Sequence, residues 1–203
     1  QAYLLASGTA ICGGTAMAAV APAIKAKPED LTTTLSIVFL LNAIAVITFP
    51  LIGEWLNLNQ EQFGTWAALA IHDTASVVGA ASVVGFDAVE VAATLKLLRT
   101  LWIVPLVFLS ALYFKSEKQG SALPIFIIFF VLAVALNTTL NPSEEVLYFL
   151  KMLNKTFLLA GLFCIGTQID KDSLKNITIK TLLLALGIWC TVIPVSLWVV
   201  MSI

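Results

Sequence analysis

Ala70-Ile71-His72-Asp73-Thr74-Ala75-Ser76-Val77-Val78-Gly79 is the stretch on which the reading of this chain turns. It holds the only histidine of the chain, set beside an aspartate. Largely apolar sequence flanks the pair, Trp66 to Ile71 before it and Ala75 to Val84 after it. Ionisable groups are costly inside hydrocarbon, so such a pair marks a functional site by default. Upstream, Ser7-Gly8-Thr9-Ala10-Ile11-Cys12-Gly13-Gly14 is a weaker stretch of the same kind. The two are expected to face each other and to build one site.

The rest of the chain sets the solvent. Of 203 residues, 60% are hydrophobic and 11% charged, where a soluble domain carries about 25% charged residues. No Asp, Glu, Lys, Arg or His occurs from Leu31 to Gly53, from Gln119 to Ser143 or from Thr181 to Ile203. Each run is long enough to cross a bilayer core, which takes about 20 helical residues. The fold class is therefore all-α, a polytopic helical membrane protein. The net charge of −1 gives no sign of a nucleic-acid partner. Cys12, Cys164 and Cys190 lie scattered in apolar sequence, without the spacing of a disulfide framework or zinc site. No metal and no cofactor is expected. The chain opens on Gln1 in mid-apolar sequence, which reads as the C-terminal two-thirds of a longer protein.

Residues 1–203 read as one membrane domain. Helices are expected at about 31–53, 88–114, 122–139, 144–169 and 181–203, with Ser143 placed to cap the fourth. An internal repeat pairs Thr9, Ala10, Gly14 and Ala16 with Thr74, Ala75, Gly79 and Ala81. Each half leads into an apolar helix with a proline, Pro50 or Pro105, giving units at about 1–55 and 63–115 with closing helices over 122–203. If 63–86 dips in and returns, then Lys25, Lys27, Lys115, Lys118, Lys171, Lys175 and Lys180 share one side. Glu54, Glu61, Asp87, Glu144 and Glu145 share the other. That fits the cytoplasmic enrichment of Lys and Arg better than a full crossing does. Inverted repeats with interrupted segments at the midplane are a transporter pattern. Re-entrant hairpins and broken crossing helices look alike at this level.

The site candidates follow. Ser7 or Thr9 can cap a helix from Ala10 onward, and Asp73 or Thr74 one from Ala75 onward. Two helix beginnings meeting in the bilayer form an anion site. On that reading Thr9, Gly13, Gly14, Thr74, Ser76 and Gly79 make the tips. The bland alternative is tight packing of small residues, with hydroxyls bonded back to the preceding turn. Lys96 and Arg99 share one face of a mid-span helix. They are read either as a positive lining with Asp73 as counter-charge, or as a fixed ion pair with Asp73 or Glu90. His72 and Asp73 are read as the coupling pair, with a mutually satisfied polar pair as the alternative. Asn42 and Cys12 are secondary candidates: Asn42 more simply joins two helices, and Cys12 has no local base.

SGTAICGGTAMAAVAPAIKA, FGTWAALAIHDTASVVGAA, VAATLKLLRTLWIVPL and LLAGLFCIGTQIDKDSLK resemble the YeiH-type sulfate exporter family of bacterial inner-membrane proteins. The resemblance covers essentially the whole chain. It departs at Thr9-Ala10-Ile11 and Gly14-Thr15, where the family often has other small residues. It implies a multi-pass transporter with sulfate or a related sulfur oxyanion as substrate. No Gly-x-x-x-x-Gly-Lys-Ser/Thr run is present, so transport is expected to draw on an ion gradient. The expected partners are a small anion, a coupling proton or cation and the bilayer, with a homo-oligomer left open. An organic-anion carrier, an intramembrane enzyme and a non-transporting scaffold are the rivals. The enzyme is disfavoured for want of a nucleophile or metal cluster.

Overall fold

The computed structural model describes residues 1–114, 143–167 and 177–202, together with positions 129, 132, 133 and 136. Most of the helix expected at 122–139, and the lysines at 115, 118, 171 and 175, lie outside the described residues.

The chain begins with two short helices, α1 (Ala2–Ala10) and α2 (Gly14–Val20), followed by the long α3 (Pro28–Trp55). The order then repeats: α4 (Gln60–Ala70), α5 (Thr74–Val84) and a long segment broken into α6 (Phe86–Thr100) and α7 (Ile103–Tyr113). Two further helices follow, α8 (Glu144–Thr167) and α9 (Ile179–Ser202). Pro28–Trp55, Phe86–Tyr113 and Ile179–Ser202 are each long and apolar enough to cross a membrane. At 1.5 Å per residue α3 is about 42 Å long.

The α4–α5 pair is a hairpin. Gln60, at the start of α4, accepts through Oε1 from the backbone N–H groups of Asp87 (3.0 Å) and Ala88 (3.4 Å), just past the end of α5. The Gln60 side chain also lies against Gly85, where a Cβ would overlap it. Chain entry and exit therefore sit at one end of the molecule. The α1–α2 pair behaves alike: Gln1 donates to Asp30 Oδ1 at 2.6 Å, in the first turn of α3. The segments of the interrupted stretches thus go in and come back, and do not cross.

The long helices show that the hairpins enter from opposite ends. Helix α3 begins beside Gln1, meets the second hairpin's tip at Asn42, and reaches its base where Gly53 packs on Phe63. Helix α9 starts with Thr181 bonded to Gln1 and then passes Ala70 at Trp189. It goes on to meet Trp66 at Ile193. The α6–α7 segment runs the other way, from Gln60 to the contact of Ser110 with Tyr3 at 2.8 Å. Asn42 lies midway along α3, so the second tip sits at half depth.

Charge follows the same axis. Lys25, Lys27 and Lys180 lie at the Gln1 end together with Glu29 and Asp30, and Glu54, Glu61 and Asp87, without a lysine among the described residues beside them, at the other. A core of Phe49, Trp66 and Trp189 ties α3, α4 and α9 together, Phe49 stacking on Trp66 at 4.4 Å and on Trp189 at 6.2 Å.

Three expectations are corrected. Ser7 and Thr9 cap nothing, because α1 runs through them to Ala10, and α2 starts only at Gly14. Ser7 Oγ instead donates back to Leu4 O at 2.8 Å, the local bond that hydroxyls favour inside a helix. The repeat register also moves. Ile11-Cys12-Gly13 corresponds to Ile71-His72-Asp73, since each triplet fills a break; Thr9 precedes its break whereas Thr74 follows one. Finally, the single helix expected at 88–114 is broken at Leu101–Trp102. Pro105 has no N–H for the Leu101 carbonyl and its ring crowds that group. The turn tightens there, with Leu101, Trp102 and Val104 bonded three residues back. Pro50 leaves α3 continuous.

Candidate functional site

A helix ending leaves four carbonyls without partners, and inside lipid each would cost several kcal/mol. Helix α4 ends in mid-molecule, so its carbonyls need donors. Lys96 Nζ donates to Ile71 O at 2.7 Å and to Ala68 O at 3.4 Å. Arg99 Nη1 donates to Ala68 O at 3.1 Å and Leu69 O at 2.8 Å. The indole N–H of Trp189 takes Ala70 O at 3.0 Å. The last carbonyls of α4 are thus all used.

Helix α1 is finished by the same arginine. Arg99 Nη2 donates to Thr9 O at 2.8 Å and Nε to Ala10 O at 2.7 Å. The carbonyls before these are taken within the chain, Ser7 O by Ile11 N–H and Gly8 O by Gly13 N–H. One guanidinium therefore joins the tips of both hairpins. A planar fork with five donors suits this, and cations are favourable at helix C-termini. The buried face of α6 is Ala88, Ala92, Lys96 and Thr100, one residue per turn. The alanines and Gly64 let α4 come close: a Cβ on Gly64 would lie 2.6 Å from Ala88 O.

The expected pairing of Lys96 and Arg99 with Asp73 or Glu90 is replaced by these carbonyl bonds. Glu90 is exposed. Asp73 is the N-cap of α5, its Oδ2 accepting from Ser76 N–H at 3.0 Å and Ser76 Oγ at 3.2 Å. Of the capping residues proposed there, Asp73 and not Thr74 does the capping.

The two breaks touch. Gly13 has φ +62°, a conformation open to glycine. A Cβ on it would sit 3.4 Å from the His72 carbonyl carbon and 3.5 Å from Asp73 N. Gly14 packs on α3: a Cβ on it would lie 3.2 Å from the Leu35 side chain. Asn42 is wholly buried and accepts through Oδ1 from the His72 N–H at 3.2 Å.

The structure thus brings Thr9, Gly13, Asn42, His72, Asp73, Ser76, Lys96 and Arg99 together at the crossing of the two hairpins. Thr9 takes part through its carbonyl, and Thr74 is the first residue of α5. Gly79 lies further along α5, buried, its carbonyl taken by Ser82 Oγ. Cys12 is buried beside Ile11, Ala16 and Ile103.

Trp189 was missed from the sequence. It caps Ala70, and its ring lies 6.2 Å from that of His72. The available signal was a tryptophan in the middle of the uncharged run 181–203, since a buried indole N–H needs a partner.

Among known proteins, the pattern of the family described as "Conserved hypothetical protein 698" matches residues 1–185. The chain belongs to that family. It is 46% identical over 190 residues to a UPF0324 membrane protein of Photobacterium profundum, covering 94% of this chain and 58% of the relative. A UPF0324 membrane protein of Vibrio vulnificus is 45% identical over 207 residues, covering 99% of this chain and 67% of the relative. One of Porphyromonas gingivalis is 47% identical over 189 residues, covering 92% and 57%. The chain therefore spans somewhat over half the length of several relatives it matches. These relatives agree with the resemblance read from the sequence and with a multi-pass bacterial membrane protein. No solved structure matches the chain.

Proposed function

We infer that this protein is a secondary transporter of a small inorganic anion, sulfate or a related sulfur oxyanion, in the bacterial inner membrane. The observation that carries the reading is a surplus of buried positive charge where two opposed hairpins meet. Lys96 is fully buried and Arg99 partly so, while Asp73 is the one carboxylate that the described residues place at the crossing. Charge at that depth is costly unless something compensates it; the helix-end carbonyls offset part of it, and a bound anion offsets the net charge that remains.

The helix ends support the same sign. The carbonyl ends of α1 and α4 are occupied by the protein's own cations, so those carbonyls do not serve a coupling metal ion. Helix α5 begins at the crossing, where negative charge is favoured and the Asp73 carboxylate takes up part of that preference by accepting from the Ser76 N–H. His72 and Asp73 stand beside that point as the coupling pair for protons. Opposed hairpins meeting around a half-depth site are the layout that alternating access uses. With Lys25, Lys27 and Lys180 at the Gln1 end, that end is cytoplasmic.

Counterflow tests the reading. Liposomes holding the intact protein and unlabelled sulfate should accumulate labelled sulfate faster than protein-free liposomes. Acceleration by a trapped dicarboxylate alone would make the protein an organic-anion carrier. No acceleration by any trapped anion would leave it a scaffold.

A further inference from the structure

Two side-chain atoms at the crossing are buried without a hydrogen-bond partner, Asn42 Nδ2 and His72 Nδ1. Asn42 is 0% exposed and His72 2%. Polar groups buried this deeply are nearly always bonded, and each exception asks for an explanation.

The orientation of Asn42 is set by its other end. Its Oδ1 accepts the His72 N–H at 3.2 Å, which leaves Nδ2, with two N–H donors, as the free end. The two free atoms thus flank one hydrogen bond, one on α3 and one in the break between α4 and α5. Joining α3 to the hairpin needs an acceptor at residue 42 and nothing more. The extra donor is unexplained by packing.

The cations do not fill this need. Lys96 and Arg99 give their hydrogen bonds to main-chain carbonyls. They supply a positive field, and with most of their N–H groups already committed to carbonyls, further directional donors for a ligand come from other side chains.

We propose that Asn42 Nδ2 and His72 Nδ1, the imidazole carrying its proton on Nδ1 when the anion is bound, each donate to a different oxygen of one transported tetrahedral oxyanion. The assignment rests on the anion-transport reading above and gives it a ligand class. Two donors on separate elements fit an anion with several acceptor oxygens and discriminate poorly in favour of a halide. The Trp189 ring, 6.2 Å from the imidazole, helps to hold His72 in place.

Two variants of the intact protein separate binding from structure. Asn42→Asp keeps an acceptor for the His72 N–H and removes the free donor. His72→Phe keeps a ring against Trp189 and removes both ring nitrogens. Sulfate KM in proteoliposomes should rise at least about tenfold in both. The rise in unfolding temperature that sulfate gives the parent should disappear in both. Should Asn42→Asp fail to fold, His72→Phe decides alone. Unchanged KM and unchanged sulfate protection would overturn the assignment and leave anion transport standing. A parent that neither moves nor binds sulfate would instead defeat the transport reading, and this assignment with it.

Discussion

Lys96 Nζ lies 2.7 Å from the carbonyl of Ile71, the residue at which α4 stops. A fully buried lysine thus ends a helix in mid-molecule. Hydrogen bonds to a charged group contribute about 1.5–3 kcal/mol, and a buried acceptor left alone costs a comparable amount. Lys96→Met, close in size and without charge, should therefore lower unfolding stability in detergent by about 1.5–3 kcal/mol. Thermal or denaturant unfolding of the two proteins side by side gives the value, and equal stability would remove Lys96 as a helix-ending group.

Arg99 spans both hairpins with four hydrogen bonds, to Thr9, Ala10, Ala68 and Leu69. Lysine keeps the charge but cannot present a fork to two tips at once. Arg99→Lys should fold with lowered stability and lose most anion flux, although the charge at the site is unchanged. Near-parental flux in this variant would mean that charge alone matters there.

Asp73 combines a helix cap with a charge. Asparagine caps as well as aspartate does, while loss of the cap to alanine costs about 1 kcal/mol. Asp73→Asn should keep parental stability and Asp73→Ala should lose that amount, as read by unfolding in detergent. Both should lose dependence of flux on an imposed proton gradient if Asp73 serves coupling. A gradient response retained in Asp73→Asn would confine the residue to capping.

The hairpin geometry can be read from outside the membrane. Glu61, Asp87 and Lys27 are all exposed. With Cys12, Cys164 and Cys190 replaced by serine, single cysteines at Glu61→Cys and Asp87→Cys should react with an impermeant thiol reagent from the same face, and Lys27→Cys from the opposite face. Labelling of the Glu61 and Asp87 positions from opposite faces would mean that 63–86 crosses the bilayer.

The parts of this arrangement that depend on side-chain type were legible in the sequence. Long uncharged runs marked the spanning helices α3 and α9. Asp73 before Thr74-Ala75-Ser76 was readable as a cap because a short carboxylate is among the best acceptors for the first N–H groups of a helix. The break at Ile11-Cys12-Gly13 was harder to place. It turns on one positive φ at Gly13, in a stretch where Ser7, Gly8 and Thr9 offered equally plausible boundaries. The partners of Lys96 and Arg99 were not legible at all. A carbonyl is the same on every residue, so sequence suggests carboxylates such as Asp73, while the fold supplies unfinished helix ends. Trp189 joined the site for the same reason.

The most direct measurement is flux of labelled sulfate into proteoliposomes of the intact protein, compared among the parent, Arg99→Ala and Asp73→Ala. The account predicts parental flux well above protein-free vesicles. It predicts a fall of at least about tenfold in each variant, equivalent to about 1.4 kcal/mol at the crossing. Equal flux in all three proteins would contradict it, because the meeting point of the hairpins would then lie off the anion's path.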